Sequence, residues 1–183
     1  MSGTPGQQPP AGRSTEEALA LFDRLPPVSP EAMLGLWQGE SLASGHPLDG
    51  LLERFHWYGK AFHSTEDVDP LLFRSTGGGL VKVRALMPDP IWLQRCPWLA
   101  TRAAGDGFQR WLLPLLRIQH PQARLRSIEH RGVVSAAMVY DRLPIIDVFR
   151  RLDDRSLLGL MDLRGAPQPF FFVLRRAEPE TSR

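Results

Sequence analysis

Few side chains in this sequence have types and spacings suited to chemistry. Trp57-Tyr58-Gly59-Lys60 reads as part of a strand from Phe55 to Phe62, where alternation puts Trp57 and Gly59 on one face and Tyr58 and Lys60 on the other. With Tyr58 and Lys60 inward, a phenol and an ammonium could fix a carboxylate or phosphate head group. With them outward, they form a solvated face. Tyr140, Asp147 and Asp162 stand in strongly apolar runs. A buried aspartate is costly unless a cation pairs with it, and Arg131 or Arg150 could do so. The alternative is a structural Asp–Arg bridge at a strand end, with Tyr140 a core tyrosine whose hydroxyl finds one partner.

The familiar catalytic patterns do not occur. His46, His56, His63, His120 and His130 show no ligand spacing such as His-Glu-x-x-His, and the single cysteine, Cys96, cannot build a thiolate site. There is no Gly-x-Ser-x-Gly elbow. Ser75-Thr76-Gly77-Gly78-Gly79 lacks the spacing and the Lys-Ser/Thr of a phosphate loop, and reads as a hairpin turn instead. We therefore expect no catalytic residue, no metal and no cofactor.

Composition sets the limits. The 183 residues suit one domain, and 43% hydrophobic with 23% charged residues is ordinary for a folded soluble chain. A net charge of +2 is too small to argue for nucleic acid. Lys60 and Lys82 are the only lysines among 22 basic residues, so either some arginines sit in fixed ion pairs or the excess reflects a genome-wide codon bias. No run approaches the ~18 apolar residues of a membrane span. Met1 to Arg13 has no apolar core of a signal peptide, and the lone cysteine fits a reducing compartment. These features point to the cytoplasm.

Residues 1–13 and 177–183 are expected to be disordered tails around a single domain over 14–176. Ser14-Thr15-Glu16-Glu17 predicts a capping box, Pro26-Pro27 the end of its helix, and Ser29-Pro30 a second helical turn. Strands are predicted at Gly35–Glu40, Phe55–Phe62, Leu71–Arg74, Leu80–Arg84, Arg124–Arg131, Val133–Tyr140, Ile145–Leu152, Leu157–Leu163 and Pro169–Arg176, with a bend or bulge at Gly132. Turns recurring at about ten-residue spacing mark a meander over 123–176. On alternation, Phe170 and Phe172 share a face opposite Phe171. Residues 86–122 differ: Phe108, Trp111, Leu112, Leu115 and Leu116 form a helical stripe with Pro114 as a kink. With Trp92 and Trp98, this segment suits a lid on a barrel mouth that could also touch a membrane surface.

Gly35-Leu36-Trp37-Gln38-Gly39 resembles the motif that names the GXWXG domain family. Glu129–Asp141, Pro144-Ile145-Ile146-Asp147 and Leu158-Gly159-Leu160-Met161-Asp162 resemble the domain of unknown function 4334 that usually follows it. The two regions cover about residues 25–85 and 120–176. A further similarity is to the calycin superfamily of lipocalins, fatty-acid-binding proteins and nitrobindins. It implies that Trp37 plugs the barrel base, with Arg175 or Arg176 packed on it. Nitrobindins hold haem through a late-strand histidine, and this sequence has none beyond His130, which would have to substitute.

The expected fold is therefore mostly β: a calycin-like antiparallel β-barrel of about nine or ten strands, with an N-terminal helix and a helical insertion as lid. The expected function is binding a small lipophilic ligand, such as a fatty acid or phospholipid. Its lining would be Trp57, Tyr58, Lys60, Phe73, Arg131, Met138, Tyr140, Phe149, Met161 and Phe172, beneath a lid of Trp92, Trp98, Phe108, Trp111 and Leu112. The alternatives are an enzyme using Tyr140 and an aspartate as acid–base partners, a haem barrel, and a filled barrel whose lid docks a protein.

Overall fold

The computed structural model describes residues 14–75, 77–85 and 113–178. The predicted capping box opens helix α1 (Thr15–Arg24): Ser14 Oγ accepts from Glu17 N at 3.2 Å, and Glu17 Oε2 accepts from Ser14 N at 2.8 Å. Ser29 caps the short helix α2 (Pro30–Met33), whose first residue is the proline that needs no amide partner there.

The described strands are β1 (Gly35–Ser41), β2 (Trp57–Phe62), β3 (Val68–Arg74), β4 (Leu80–Lys82), β5 (Ala123–His130), β6 (Val133–Tyr140), β7 (Ile145–Arg151), β8 (Ser156–Leu163) and β9 (Phe170–Arg176), with α3 (Leu51–Arg54) before β2. All pairings are antiparallel, in the order β2-β1-β9-β8-β7-β6-β5-β3, and β3 returns to β2. Eight strands thus close a barrel, and β4 is a ninth, outer strand that pairs with Leu72–Arg74 of β3, on the edge that β5 meets only at Val68. The ring therefore has fewer strands than the sequence suggested. The triple glycine joins β3 to β4, where Ser75 N donates to the Gly79 carbonyl at 2.9 Å.

Two apolar layers explain why β8 and β9 read as unbroken hydrophobic runs. Phe170, Phe172 and Leu174 face the barrel interior, whereas Phe171 and Val173 pack outward with Leu158 and Leu160 beneath Ala18 and Phe22 of α1. The interior is closed at one end by the chain that leaves α1: Val28 and Met33 join Trp37 in the inner core. Ser135 Oγ ties this crossing down, accepting from Val28 N at 3.0 Å and donating to the Phe149 carbonyl at 2.7 Å. Ser135→Ala is therefore expected to cost about 1–3 kcal/mol in a denaturant titration, because it leaves buried backbone groups unpaired.

Three expectations need correction. Arg131 and Gly132 are not strand and bulge but the two central residues of the β5–β6 turn, with φ of 53° and 76°; two left-handed residues match the twist of the flanking strands. The alternation predicted for β2 fails, because Trp57 pairs with Phe73 and Gly59 with Leu72, leaving Tyr58 as an extra residue. A second irregularity follows between Gly59 and Ala61, opposite Pro70, which has no amide to give a ladder. Finally, of the predicted helical stripe from Phe108 to Leu116, only the last residues are described. Pro114–Leu116 is a single 3-10 turn, and Arg117 is already extended and bridged to Val83. Leu115 is 80% exposed, so it belongs to no buried stripe. No helical lid is evident among the described residues.

Candidate functional site

One ion pair sits inside the ring among aromatic side chains. Lys60 Nζ lies 2.9 Å from Asp147 Oδ2, with both side chains almost fully buried. The ammonium also donates to the Pro70 carbonyl at 3.2 Å. It stands 5.0 Å from the ring centroid of Phe172, 5.6 Å from that of Trp57 and 5.8 Å from that of Tyr140. Around them Phe149 meets Phe172 edge-on at 6.1 Å, and Phe62 meets Phe149 at 5.9 Å.

Local sequence explains how these groups converge. The extra residue at Tyr58 resets the parity of β2, so Trp57 and Lys60, three apart, both turn inward. Two glycines leave room for the rings. A Cβ on Gly39 would lie 2.2 Å from the Trp57 indole, and one on Gly159 would lie 2.3 Å from the Phe172 ring. Burial pushes the Asp147 carboxyl upward, against the pull of Lys60. Burial, reinforced by the negative charge of Asp147, also holds the Tyr140 phenol well above its ordinary range, so it keeps its proton.

Two polar atoms of this cluster lack a hydrogen-bond partner among the described residues: Asp147 Oδ1, an acceptor, and Trp57 Nε1, a donor. Burying such groups unmet costs about 1–3 kcal/mol each.

Of the expected lining, Trp57, Phe73, Met138, Tyr140, Phe149, Met161 and Phe172 belong to the inner core, and Lys60 joins them through Asp147. Tyr58 does not; it lies outside, with the Arg74 guanidinium 4.8 Å over its ring. Arg131 is also outside, held by Asp23 of α1 through bonds of 2.6 and 2.7 Å. Asp162 is exposed, and Arg150 stacks on Phe22 at 4.7 Å outside the barrel, so neither arginine pairs with an interior aspartate. The expected lid residues Trp92, Trp98, Phe108, Trp111 and Leu112 lie outside the described residues. Sequence reasoning missed that the partner of Asp147 is Lys60. The signal was present in Gly59 and Pro70, which mark bulges within a strand.

His130, the histidine that would have to hold haem, packs its ring 6.3 Å from Phe22 on the outer side, and His46 Nδ1 accepts from Leu48 N at 3.1 Å. No group of three metal-ligating side chains occurs among the described residues. A hollow of about 200 Å³ lies on the outer face between Leu19, His130, Asp162 and Pro167, but Arg131 at its rim is already neutralised by Asp23.

At the closed end, the Arg176 guanidinium lies 4.3 Å over the Trp37 ring and donates to the carbonyls of Leu34 at 2.8 Å and Ala32 at 2.7 Å. Trp37 Nε1 donates to the Met33 carbonyl at 2.6 Å. Arg175 points away and pairs with Glu40 at 2.6 Å. The family model for GXWXG proteins matches residues 20–78, and that for a domain of unknown function (DUF4334) matches residues 121–176. A protein from Thermomonospora curvata, known from its crystal structure, is 34% identical, with 92% of this chain and 90% of that one aligned and a TM-score of 0.69. The chain belongs to the GXWXG/DUF4334 family. Proteins with curated descriptions give no match.

In this GXWXG protein the motif residues have separable physical tasks. Gly35, at φ 119°, lies where a Cβ would come within 3.0 Å of Arg176 Nη1. Trp37 takes that guanidinium on its ring and seals the base. Gly39 leaves the space that the Trp57 indole fills. The motif thus joins the closed end of the barrel to its interior polar cluster.

Proposed function

We propose that this GXWXG-family barrel binds a small, mostly apolar molecule in its interior, with the polar end of that molecule at Lys60, Asp147, Tyr140 and Trp57. The observation that carries this reading is the pair of unmet polar atoms, Asp147 Oδ1 and Trp57 Nε1, around one ion pair in an otherwise apolar core. A charged pair in a barrel core is a poor device for stability alone, since well-packed apolar residues usually do as well. The calycin resemblance supports the reading, because the Trp37–Arg176 stack occupies the place expected of a barrel-base plug. Entry would be at the end away from Trp37, past Phe170 and the His46 ring 5.4 Å from it. Apolar burial would supply most of the affinity, at about 25 cal/mol per Å² before ordering costs.

Extraction of the purified protein with organic solvent, followed by mass spectrometry, should release about one lipophilic molecule per chain, or the emptied protein should take up a neutral dye such as N-phenyl-1-naphthylamine. If nothing is extracted and the dye does not bind, the reading is wrong. A second reading has one observation in its favour. An aspartate whose proton affinity is raised, beside a protonated tyrosine, is the pairing that general acid–base work requires. It would reveal itself as chemical conversion of the bound molecule.

A further inference from the structure

Resting on that binding reading, the interior charges also define the head group. Among the described residues four charged side chains besides histidine are buried: Lys60, Asp69, Asp147 and Arg150. Asp69 pairs with His63 and Lys82, whose side chains are 53% and 35% exposed, and Arg150 lies against α1. Only Lys60 and Asp147 belong to the inner cluster, and at 2.9 Å each neutralises the other. The polar end of a ligand therefore meets no net charge. It meets an acceptor without a donor, Asp147 Oδ1, and a donor without an acceptor, Trp57 Nε1.

We infer that the ligand's polar end is an uncharged group that both donates and accepts a hydrogen bond, a hydroxyl above all, and not the carboxylate of a fatty acid. A hydroxyl has a proton to give an acceptor such as Asp147 Oδ1 and a lone pair to offer a donor such as Trp57 Nε1, so one head-group chemistry answers both. A carboxylate satisfies only the indole. It has no proton to give Asp147 Oδ1, and it sets a second anion beside a carboxylate whose one cation is already engaged. It can enter only with a proton, so its binding must strengthen as pH falls.

The test uses pairs that share a body and differ in head: 1-decanol against decanoate, and 2-naphthol against 2-naphthoate, each displacing N-phenyl-1-naphthylamine from the whole protein. At neutral pH the alcohol of each pair should bind at least about tenfold more tightly, and the acid should gain on its alcohol as pH falls. Asp147→Asn leaves Lys60 unpaired and should reverse the order within each pair. Trp57→Phe, which removes only the indole donor and keeps an aromatic ring, should weaken the alcohols about three- to tenfold. If both heads bind equally, or the acids bind better to the unaltered protein, the head-group inference is overturned while the binding reading stands. If the dye itself fails to bind and no probe is taken up, both are overturned together.

Discussion

Gly59→Ala is expected to lower the stability of the barrel by about 4 kcal/mol, read as a fall in melting temperature of about 8–16 °C for a chain of this size. Two separate costs combine. The backbone at Gly59 has φ of 147°, a conformation L side chains rarely adopt. A Cβ there would also lie 2.0 Å from the Trp37 carbonyl oxygen and 2.9 Å from Gly39 N. Both obstacles are backbone of β1, held by the β1–β9 ladder, and cannot swing aside as a side chain would. Gly78→Ala separates the two costs. Its φ is 84°, but nothing lies within 4 Å of its Cβ position, so about 1 kcal/mol is expected there. Equal losses at the two glycines would show that crowding against β1 plays no part.

Lys60→Met should be the other severe substitution, costing about 3–5 kcal/mol near neutral pH. It keeps much of the apolar stem but leaves the Asp147 carboxylate in the core without its cation. The loss should depend on pH with a definite sign. Burial already holds the Asp147 carboxyl above its unfolded value, and removing Lys60 takes away the attraction opposing that shift. The folded variant then keeps a proton that the unfolded chain releases above pH about 4, so its stability falls as pH rises from there, by at most about 1.4 kcal/mol per unit, until the folded carboxyl ionises. The unaltered protein should show a shallower slope. The double substitution Lys60→Met with Asp147→Leu should restore most of the loss, because it removes both charges and refills the space. Denaturant titrations at several pH values measure all three.

Much of the barrel was legible from sequence because its signals are local. Ser14 and Glu17 announce a helix start, Ser75 to Gly79 a hairpin, and the alternation of Phe170, Phe171 and Phe172 the two faces of β9. An arginine of the last strand stacked on Trp37 followed from resemblance, not from spacing, and the resemblance left Arg175 and Arg176 open. What sequence reading lost depends on register. One extra residue at Tyr58 turns Lys60 inward beside Trp57 and sends Tyr58 outward, and period-two counting has no means of seeing it. Arg131 was misplaced because a residue of ordinary strand type occupies a left-handed turn position next to Gly132. Lys60 and Asp147 stand 87 residues apart in a count from the sequence, and only ring closure through β1, β9 and β8 brings their strands face to face.

The most direct test is the indole N–H spectrum during titration with 1-decanol. Each of the five tryptophans gives one such signal, assignable by single substitution. Trp37 Nε1 is already bonded to the Met33 carbonyl, whereas Trp57 Nε1 has no partner among the described residues. The Trp57 signal should move downfield and saturate as the ligand hydroxyl accepts its proton, while that of Trp37 stays in place. A Trp57 signal unmoved at saturating 1-decanol would contradict the claim that the barrel interior is where this protein binds its ligand.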